Sequence, residues 1–231
     1  ARRPMTALVP VLDRDEDRLR QVCDVRLSDV PSVGAKAAQL GEACSLRGPI
    51  RTPGGFTIPM RHYLEHVERT GIDDAIAAIL ADAAVASDGA ERDRRLAAVR
   101  AAVQEAEIDA TLLRNVRRRM SDIDDDSRWI FRSSTNAEDL PGFTGAGLYR
   151  SIVVDADASD DEIAAAIREV WASVWLLPAY EERDWYRVDQ SLVAMAILAQ
   201  PFIDGAAVNM VAITANPFFE GRPGYFINAQ V

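Results

Sequence analysis

The sequence predicts an α+β fold in which a helical block comes before a sheet. Apolar residues recur at helical spacing between Ile72 and Met120, which is the pattern of helices with one buried face. From Trp129 onward the pattern changes to short apolar runs separated by turn residues, which is typical of strands. The chain has 231 residues and 48% of them are hydrophobic, so it can bury a sizeable core.

We divide the chain into a mainly helical portion, residues 1–127, and a sheet portion, residues 128–231. The sequence begins without an initiating Met and stops inside a strand-like run, Tyr225–Val231. We therefore expect a single domain, truncated at its C-terminus, that comes from a longer protein.

The charge balance and the cysteines restrict the class of protein. Asp and Glu outnumber Lys and Arg by 36 to 26, which gives a net charge of −10. An acidic chain is a poor nucleic-acid binder because phosphate contacts dominate that affinity, although a local basic pocket for a nucleotide is compatible with it. No apolar run approaches the ~20 residues of a membrane span, and the N-terminus lacks the apolar core of a signal peptide.

Cys23 and Cys44 have no metal-type spacing, so we expect free, buried thiols in a reducing, cytoplasmic compartment.

The first portion places a lysine at the start of a helix. Val22–Leu27 is predicted to be a short strand, and Ser32 is a suitable N-cap for the helix that follows. Lys36 would lie in the first turn of this helix, beside backbone N–H groups that favour anions. The alternative is a solvated surface lysine. The apolar stripe of the helix consists of Ala37, Leu40 and Cys44.

A turn and a short strand at Pro53–Ile58 lead to a helix that carries both histidines of the chain. Pro59 suits the first turn of this helix. The spacing of His62, Glu65 and His66 is the His-x-x-Glu-His pattern of one class of zinc peptidases, with Glu65 as the base. Such a site needs a third ligand, and no downstream acidic residue is an evident one. Two surface histidines on an amphipathic helix are therefore the favoured interpretation.

The helical block from Ile72 to Met120 contains three apolar stripes, and Ser87-Asp-Gly89 separates the first from the second. It has no catalytic constellation. The stripes are Ile76, Ile79 and Leu80; Leu96, Val99 and Val103; and Leu112, Leu113 and Val116.

The stretch that follows the first apolar run of the sheet portion carries the residue types of a phosphate-binding loop. A guanidinium offers a permanent, forked charge that matches phosphate oxygens. Hydroxyls and glycine N–H groups can surround the same oxygens. A glycine-rich hairpin is the alternative, but the combination favours a nucleotide site. The stretch consists of Arg132, then Ser133, Ser134 and Thr135, then the acidic pair Glu138 and Asp139, and then Gly142, Gly145 and Gly147.

Strands and helices alternate in the remainder of the chain. Trp171 and Trp175 are four residues apart on a predicted helix, and we expect both in the core. The predicted elements are a strand at Tyr149–Val154, a helix from Asp160, a charged helical segment at Glu181–Tyr186, and strands at Ser191–Ala199, Asn209–Thr214 and from Tyr225.

Residues 132–147 resemble the signature of the N-terminal nucleotide-binding domain shared by pyruvate phosphate dikinase, phosphoenolpyruvate synthase, glucan water dikinase and rifampicin phosphotransferase. Their sequence is Arg-Ser-Ser-Thr-Asn-Ala-Glu-Asp-Leu-Pro-Gly-Phe-Thr-Gly-Ala-Gly. Residues 33–41, Val-Gly-Ala-Lys-Ala-Ala-Gln-Leu-Gly, are similar to the Val-Gly-Gly-Lys-x-x-x-Leu-Gly element of the same family. The resemblance implies an ATP-grasp fold with a mostly antiparallel sheet, ATP and Mg²⁺ as cofactors, and phosphoryl transfer.

The resemblance also implies roles for individual residues. Lys36 would reach the ATP phosphates, Arg132 would clamp them, and the 142–147 loop would fold over them. Gln200–Ile203 would meet adenine, and Thr214 and Asn216 would lie near the nucleotide. The predicted catalytic residues are Lys36 and Arg132; the predicted ATP-binding residues are these two with Ser133, Ser134, Thr135, Gly145, Gly147, Gln200, Phe202 and Thr214, and no metal ligand is predicted.

Two residues depart from the family pattern: Ala35 replaces a glycine of the lysine element, and Met210 stands where a glycine is frequent. Both favour an alternative function, a non-catalytic, regulatory nucleotide-binding module. In the family, the metal-holding glutamate and glutamine come well after the Thr-x-Asn-Pro strand. We therefore expect the isolated chain to be inactive, and we expect other domains to handle the acceptor, whether pyruvate, a glucan or an antibiotic.

Overall fold

The computed structural model describes residues 6–46, 51–215 and 223–230. Its helices are α1 (Val30–Ser45), α2 (Met60–Arg69), α3 (Ile72–Ala81), α4 (Ala83–Ser87), α5 (Gly89–Glu105), α6 (Ala110–Ile123), α7 (Asp160–Ala172) and α8 (Leu177–Trp185). Its strands are β1 (Phe56–Ile58), β2 (Trp129–Thr135), β3 (Asp139–Leu140), β4 (Phe143–Thr144), β5 (Ser151–Val154), β6 (Met195–Pro201), β7 (Asn209–Ile213) and β8 (Phe226–Gln230).

The central sheet has the strand order β1-β6-β2-β5, and every neighbouring pair is antiparallel. Short hairpins, β3 with β4 and β7 with β8, lie outside it. The helical block followed by an antiparallel sheet confirms the predicted α+β class and agrees with an ATP-grasp-like domain. Strand β1 comes from the first portion of the chain and pairs with β6 of the second, so both portions contribute to one sheet.

The register of β2 and β6 divides the sheet into two different faces. Arg132 is opposite Leu198 and Ile130 is opposite Gln200, so these four side chains share one face. Trp129 and Phe131 alternate with them and are buried in the main core.

The two tryptophans predicted to lie in the core do so. Trp171 on α7 and Trp175 just after it are almost fully buried, and the Nε1–H of Trp175 donates to the Tyr63 hydroxyl at 2.9 Å. The predicted break at residues 87–89 is also confirmed. Asp88 caps α5 there, because its Oδ1 accepts from the N–H of Ala90 at 2.9 Å.

The segment predicted as a strand at Val22–Leu27 instead forms two 3-10 turns, Val22–Asp24 and Leu27–Asp29. The strand prediction is wrong because pairing with β1 stops at an isolated bridge between Gln21 and Phe56, after which the chain turns and packs against α1. The approach is close at Gly41 of α1, where a Cβ atom would lie 2.3 Å from the Val25 carbonyl oxygen.

The same packing corrects the prediction of free thiols. Cys23 and Cys44 form a disulfide, with their Cα atoms 5.2 Å apart, and both residues are half-buried. The contact of the first 3-10 turn with α1 brings the two Cα atoms within disulfide range. Cysteine spacing in the sequence contains no information about this contact. The disulfide also removes the reason for expecting a reducing compartment, which depended on free thiols.

Helix α1 begins at Val30, and Ser32 lies inside it, so the predicted N-cap is wrong. The helix is kinked at Gly34, whose φ of 79° and ψ of 168° are not helical. The regular part of α1 therefore begins after Gly34, which leaves Lys36 in its first turn as predicted. In the part of the chain that the structure describes, no helix is long and apolar enough to cross a membrane.

Candidate functional site

A cavity of about 740 Å³ lies where α1 faces the β2–β6 pair of the sheet. Its lining brings together four predicted site residues that are far apart in the sequence: Lys36, Arg132, Gln200 and Phe202. Apolar side chains of Leu40, Ile130 and Leu198 line the same cavity. The site therefore combines two cationic side chains with an apolar wall.

Arg132 supplies a cation that is available to a ligand. Its position on β2 places it on the cavity face, opposite Leu198, and the residue is exposed. Among the described residues its guanidinium has neither a hydrogen-bond partner nor an ion-pair partner. Because a guanidinium without a protein partner can address an anion with its full donor set, Arg132 is the less restrained cation of the site.

Lys36 is held by one neighbour on β2, Ser133, and by one on the stretch that follows β2, Glu138. Its Nζ donates to Oε1 of Glu138 and lies 3.4 Å from Oγ of Ser133. The Lys36 side chain is 37% exposed, whereas that of Glu138 is only 4% exposed. Burial raises the pKa of the Glu138 carboxyl, and the Lys36 ammonium opposes this shift. Residue types alone identified Glu138 as one of an acidic pair and predicted no role for it.

The Lys36 backbone is positioned by Gly34 and Ser134. The Ser134 hydroxyl accepts from the N–H of Ala37 at 3.1 Å and donates to the Val33 carbonyl at 2.7 Å, so it caps the regular part of α1 from β2. A Cβ on Gly34 would lie 2.1 Å from the Ser134 carbonyl oxygen. The glycine thus permits the close approach of α1 to β2 that places Lys36 beside the cavity.

Gln200 and Phe202 form the wall at the end of β6. Gln200 is buried and its Nε2 donates to the Gly54 carbonyl at 2.9 Å. Gly55 has a φ of 111°, and a Cβ there would lie 2.2 Å from the Ala199 carbonyl oxygen, so the turn before β1 packs directly on β6. The N–H of Phe202 donates to the Arg128 carbonyl at 2.7 Å, and the Arg128 guanidinium lies 4.7 Å from the Phe202 ring centroid.

Residues 30–230 match the family described as pyruvate phosphate dikinase, AMP/ATP-binding domain. The chain belongs to this family. The resemblance predicted from the lysine element and the 132–147 signature is therefore confirmed, and with it the assignment to a nucleotide-binding domain of a dikinase-like protein.

Curated relatives agree with the family. The phosphoenolpyruvate synthase of Pseudomonas aeruginosa is 33% identical over 76% of this chain and 22% of that protein. The phosphoenolpyruvate synthase of Aeropyrum pernix is 27% identical over 81% of this chain and 23% of that protein. The rifampicin phosphotransferase of Streptomyces sviceus is 30% identical over 84% of this chain and 22% of that protein. The chain thus spans less than a quarter of the length of each of these relatives.

The hydroxyl residues 133–135 of this AMP/ATP-binding domain lie outside the described lining of the cavity, in contrast to the two cations. Ser134 is fully buried and both its hydrogen bonds go to backbone groups of α1. Thr135 is also buried, and its Oγ1 accepts from the N–H of Ala137 at 3.1 Å. Ser133 is close to the site only through the Lys36 ammonium. None of these three residues is in the described lining of the cavity.

The glycines of the signature form part of the hairpin of β3 and β4. Gly142 has a φ of 79° between the two strands, and the N–H of Gly145 donates to the Glu138 carbonyl at 2.7 Å. Gly147 comes after β4, has a φ of 81°, and has no atom within 4 Å of the position that an added Cβ would occupy. The described lining of the cavity includes neither Gly145 nor Gly147.

The last predicted site residues lie near the second hairpin. Thr214 is exposed just after β7 and is not in the described lining of the cavity, and Asn216 lies outside the described residues. Met210 of β7 does line the cavity and is 62% exposed, whereas Ala35 is a buried residue of α1 and is not in the described lining. The thioether is therefore at the position where a side chain would meet a ligand.

The two histidines of the zinc-peptidase pattern are each hydrogen-bonded to a backbone carbonyl group. His62 Nε2 lies 2.8 Å from the Asp17 carbonyl oxygen, and His66 Nε2 lies 3.2 Å from the Val103 carbonyl oxygen. His66 is buried, and this burial lowers its pKa. Within residues 6–46, 51–215 and 223–230, no group of three His, Cys, Asp or Glu side chains is placed to hold a metal ion. The described geometry therefore gives no support to a zinc site.

Proposed function

We propose that the chain binds ATP in the cavity between α1 and the β2–β6 pair, for phosphoryl transfer by a phosphoenolpyruvate synthase-like or pyruvate phosphate dikinase-like phosphotransferase. The observation that carries this proposal is the joint lining of one cavity by Lys36, Arg132, Gln200 and Phe202. Family membership gives the ligand class, an adenine nucleotide.

The register of the sheet gives the proposed orientation of the nucleotide. Arg132 is opposite Leu198, and Phe202 comes four residues further along the chain, which corresponds to about 13 Å of strand. The phosphates would lie with Lys36 and Arg132, and the base would lie against the Gln200–Ile203 segment and the apolar wall. In this arrangement, charge-assisted hydrogen bonds hold the phosphates and stacking holds the base.

Phosphoryl transfer depends mainly on positioning and on charge neutralisation. Lys36 and Arg132 would perform both tasks by donating to phosphate oxygens. In this proposal the acceptor binds to other domains of a longer protein.

Mg²⁺ is the metal that such chemistry uses, and it prefers carboxylate oxygens together with phosphates. The described lining of the cavity contains the amides of Gln39, Gln200 and Asn209 but no carboxylate. These residues do not fit a protein-held Mg²⁺ site, so we assign no step of the proposal to a metal held by them.

Calorimetry with ATP and with adenosine tests the proposal. We expect wild-type protein to bind both ligands, and Lys36→Met to lose ATP affinity while it keeps adenosine affinity, because the ammonium addresses phosphates and not the base. Lys36→Arg, which keeps the charge, is the matched control and should lose less ATP affinity than Lys36→Met. If Lys36→Met lost both ligands equally, its effect would be structural and the proposed phosphate contact would be wrong.

A non-catalytic, regulatory nucleotide-binding module is the second candidate, and the presence of Met210 in the cavity lining favours it. A flexible thioether over the site would restrict how deeply a nucleotide enters. Under this candidate, Met210→Gly should strengthen ATP binding. Under the enzymatic proposal, the same change should leave the affinity within about twofold, since an exposed, flexible side chain can move aside at little cost.

A further inference from the structure

We propose that Glu138 is a positioning residue for Lys36: its buried carboxylate holds the ammonium beside the cavity, so that a phosphate meets a cation that is already in place. This inference rests on the proposed function, since it concerns how the same site recognises phosphate. It adds a residue that touches no ligand and acts through Lys36.

The geometry of the pair is asymmetric, with the carboxylate inside and the ammonium at the surface. Glu138 is almost completely buried, whereas more than a third of the Lys36 side chain is exposed. The hairpin fixes the backbone of Glu138, because its carbonyl accepts from the N–H of Gly145 at 2.7 Å. A fixed, buried anion beneath a mobile cation restricts where that cation can be.

The hydrogen-bond capacity of Lys36 leaves room for a ligand. An ammonium has three donors. Glu138 Oε1 accepts one, and Ser133 Oγ, at 3.4 Å, is near a second. The remaining donor can address a phosphate in the cavity without loss of the contact with Glu138. The lysine therefore need not leave its carboxylate when a nucleotide binds.

The Glu138 carboxylate is stabilised mainly by its ion pair with the Lys36 ammonium. Its other oxygen, Oε2, is buried and has no hydrogen-bond partner among the described residues. A buried carboxylate with few partners depends strongly on its one cation. The neighbouring acid, Asp139, is exposed and accepts from Nε2 of Gln39 at 2.7 Å, so it does not share this role.

The composition of the chain makes the pair accessible to experiment. Lys36 is the only lysine, and the other 25 of the 26 basic residues are arginines. Protein that contains isotopically labelled lysine therefore gives one lysine side-chain signal. The position and relaxation of the Lys36 Cε signal report directly how firmly the ammonium is held.

The experiment compares Glu138→Gln with wild type by this signal and by calorimetry with ATP and adenosine. We expect the variant to have a shifted and more mobile Cε signal and a Kd for ATP about tenfold higher, with adenosine binding unchanged, because preorganisation of the cation is lost. If the Glu138 carboxylate acted only by repelling the ATP phosphates, Glu138→Gln would strengthen ATP binding instead of weakening it. Asp139→Asn is the matched control, because it removes the same charge one residue away, and it should leave the Cε signal unchanged.

The outcomes separate the two proposals. If wild type bound no ATP, the proposed function and this inference would both be wrong. If wild type bound ATP but Glu138→Gln left the Cε signal and the ATP affinity unchanged, or strengthened ATP binding, only the role of Glu138 would be wrong. Glu138→Asp should restore part of the wild-type behaviour. Should neither variant fold, the wild-type signal decides, since a Cε as mobile as that of a free lysine would overturn the inference.

Discussion

Gly34 and Ser134 are in such close contact that a Cβ atom on the glycine would lie 2.1 Å from the serine carbonyl oxygen. Through this contact the first turn of α1 reaches β2, and the Ser134 hydroxyl can cap the helix at the N–H of Ala37. The placement of Lys36 beside the cavity thus depends on Gly34, which is not in the described lining of that cavity.

Gly34→Ala should destabilise the protein strongly. The position has a φ of 79° and a ψ of 168°, which is a conformation almost restricted to glycine. We expect the free energy of unfolding to fall by about 1–3 kcal/mol from backbone strain. The clash of the added Cβ with Ser134 should lower it by a similar amount. Urea unfolding of variant and wild type measures the change in the free energy of unfolding.

Gly54→Ala is the control for Gly34→Ala, since Gly54 has a φ of 73° but no atom within 4 Å of the position that an added Cβ would occupy. Gly54→Ala should lower the free energy of unfolding through backbone strain alone, because the added Cβ meets no other atom. Equal losses of stability in the two variants would show that α1 and β2 do not approach each other so closely.

Arg132→Ala should weaken ATP binding with little change in stability. The side chain is exposed and has no ion-pair partner among the described residues, so its removal leaves no protein group unpaired. Loss of one charge-assisted phosphate contact should cost about 1.5–3 kcal/mol of binding free energy. Calorimetry with ATP measures this cost.

Arg150→Ala provides the comparison for Arg132→Ala, because Arg150 pairs with Glu169 and is not in the described lining of the cavity. It should not change the affinity beyond a small, salt-dependent effect. Unchanged ATP affinity in folded Arg132→Ala would remove Arg132 from the site.

Local sequence patterns predicted those parts of the site that depend on residue type. The role of Arg132 was predicted from the residue types around it, whereas that of Lys36 was predicted mainly from the family resemblance. The structure brings both side chains to one cavity. The contact between Lys36 and Glu138 was not predicted, because it joins residues 102 positions apart and depends on how the β3–β4 hairpin folds.

The predictions that proved wrong failed because contacts between distant parts of the chain decide the structure at those positions. Ser32 has the side chain of a good N-cap, but the kink at Gly34 gives that role to Ser134, which lies on another element. The strand predicted at Val22–Leu27 and the free thiols both failed because the segment packs on α1 and brings Cys23 to Cys44. Tertiary contacts of this kind leave no periodic signal in the sequence.

His66 should make the stability of the protein depend on pH. Burial is the main cause that lowers its pKa from the ordinary value of 6.5, and Arg69 and Arg168 act in the same direction. Between the lowered pKa and 6.5, the unfolded chain binds a proton that the folded chain does not. Stability should therefore fall as the pH decreases from above 6.5 toward the lowered pKa of His66.

Urea unfolding across this pH range measures the effect. His66→Gln should reduce the slope, because His66 is the buried histidine whose pKa is lowered. An undiminished slope in His66→Gln would mean that other groups cause the pH dependence.

The chain by itself should bind ATP without consuming it. The described lining of the cavity supplies two cations but no carboxylate for Mg²⁺, and transfer without a metal leaves the charge on the β- and γ-phosphates incompletely neutralised. Incubation with ATP, Mg²⁺ and candidate acceptors, followed by measurement of ADP and AMP, tests this expectation. Steady ATP consumption that disappears in Lys36→Met would contradict it.

The proposed function depends above all on a contact between nucleotide phosphates and the Lys36 ammonium in the cavity between α1 and the sheet. The acetylation rate of Lys36 by an amine-reactive ester, measured by peptide mass spectrometry, probes this contact, because Lys36 is the only lysine and the N-terminal α-amine serves as an internal reference. We predict that saturating ATP slows acetylation of Lys36 but not of the α-amine, and that adenosine slows neither. Equal Lys36 acetylation rates with and without saturating ATP would contradict the proposed phosphate contact.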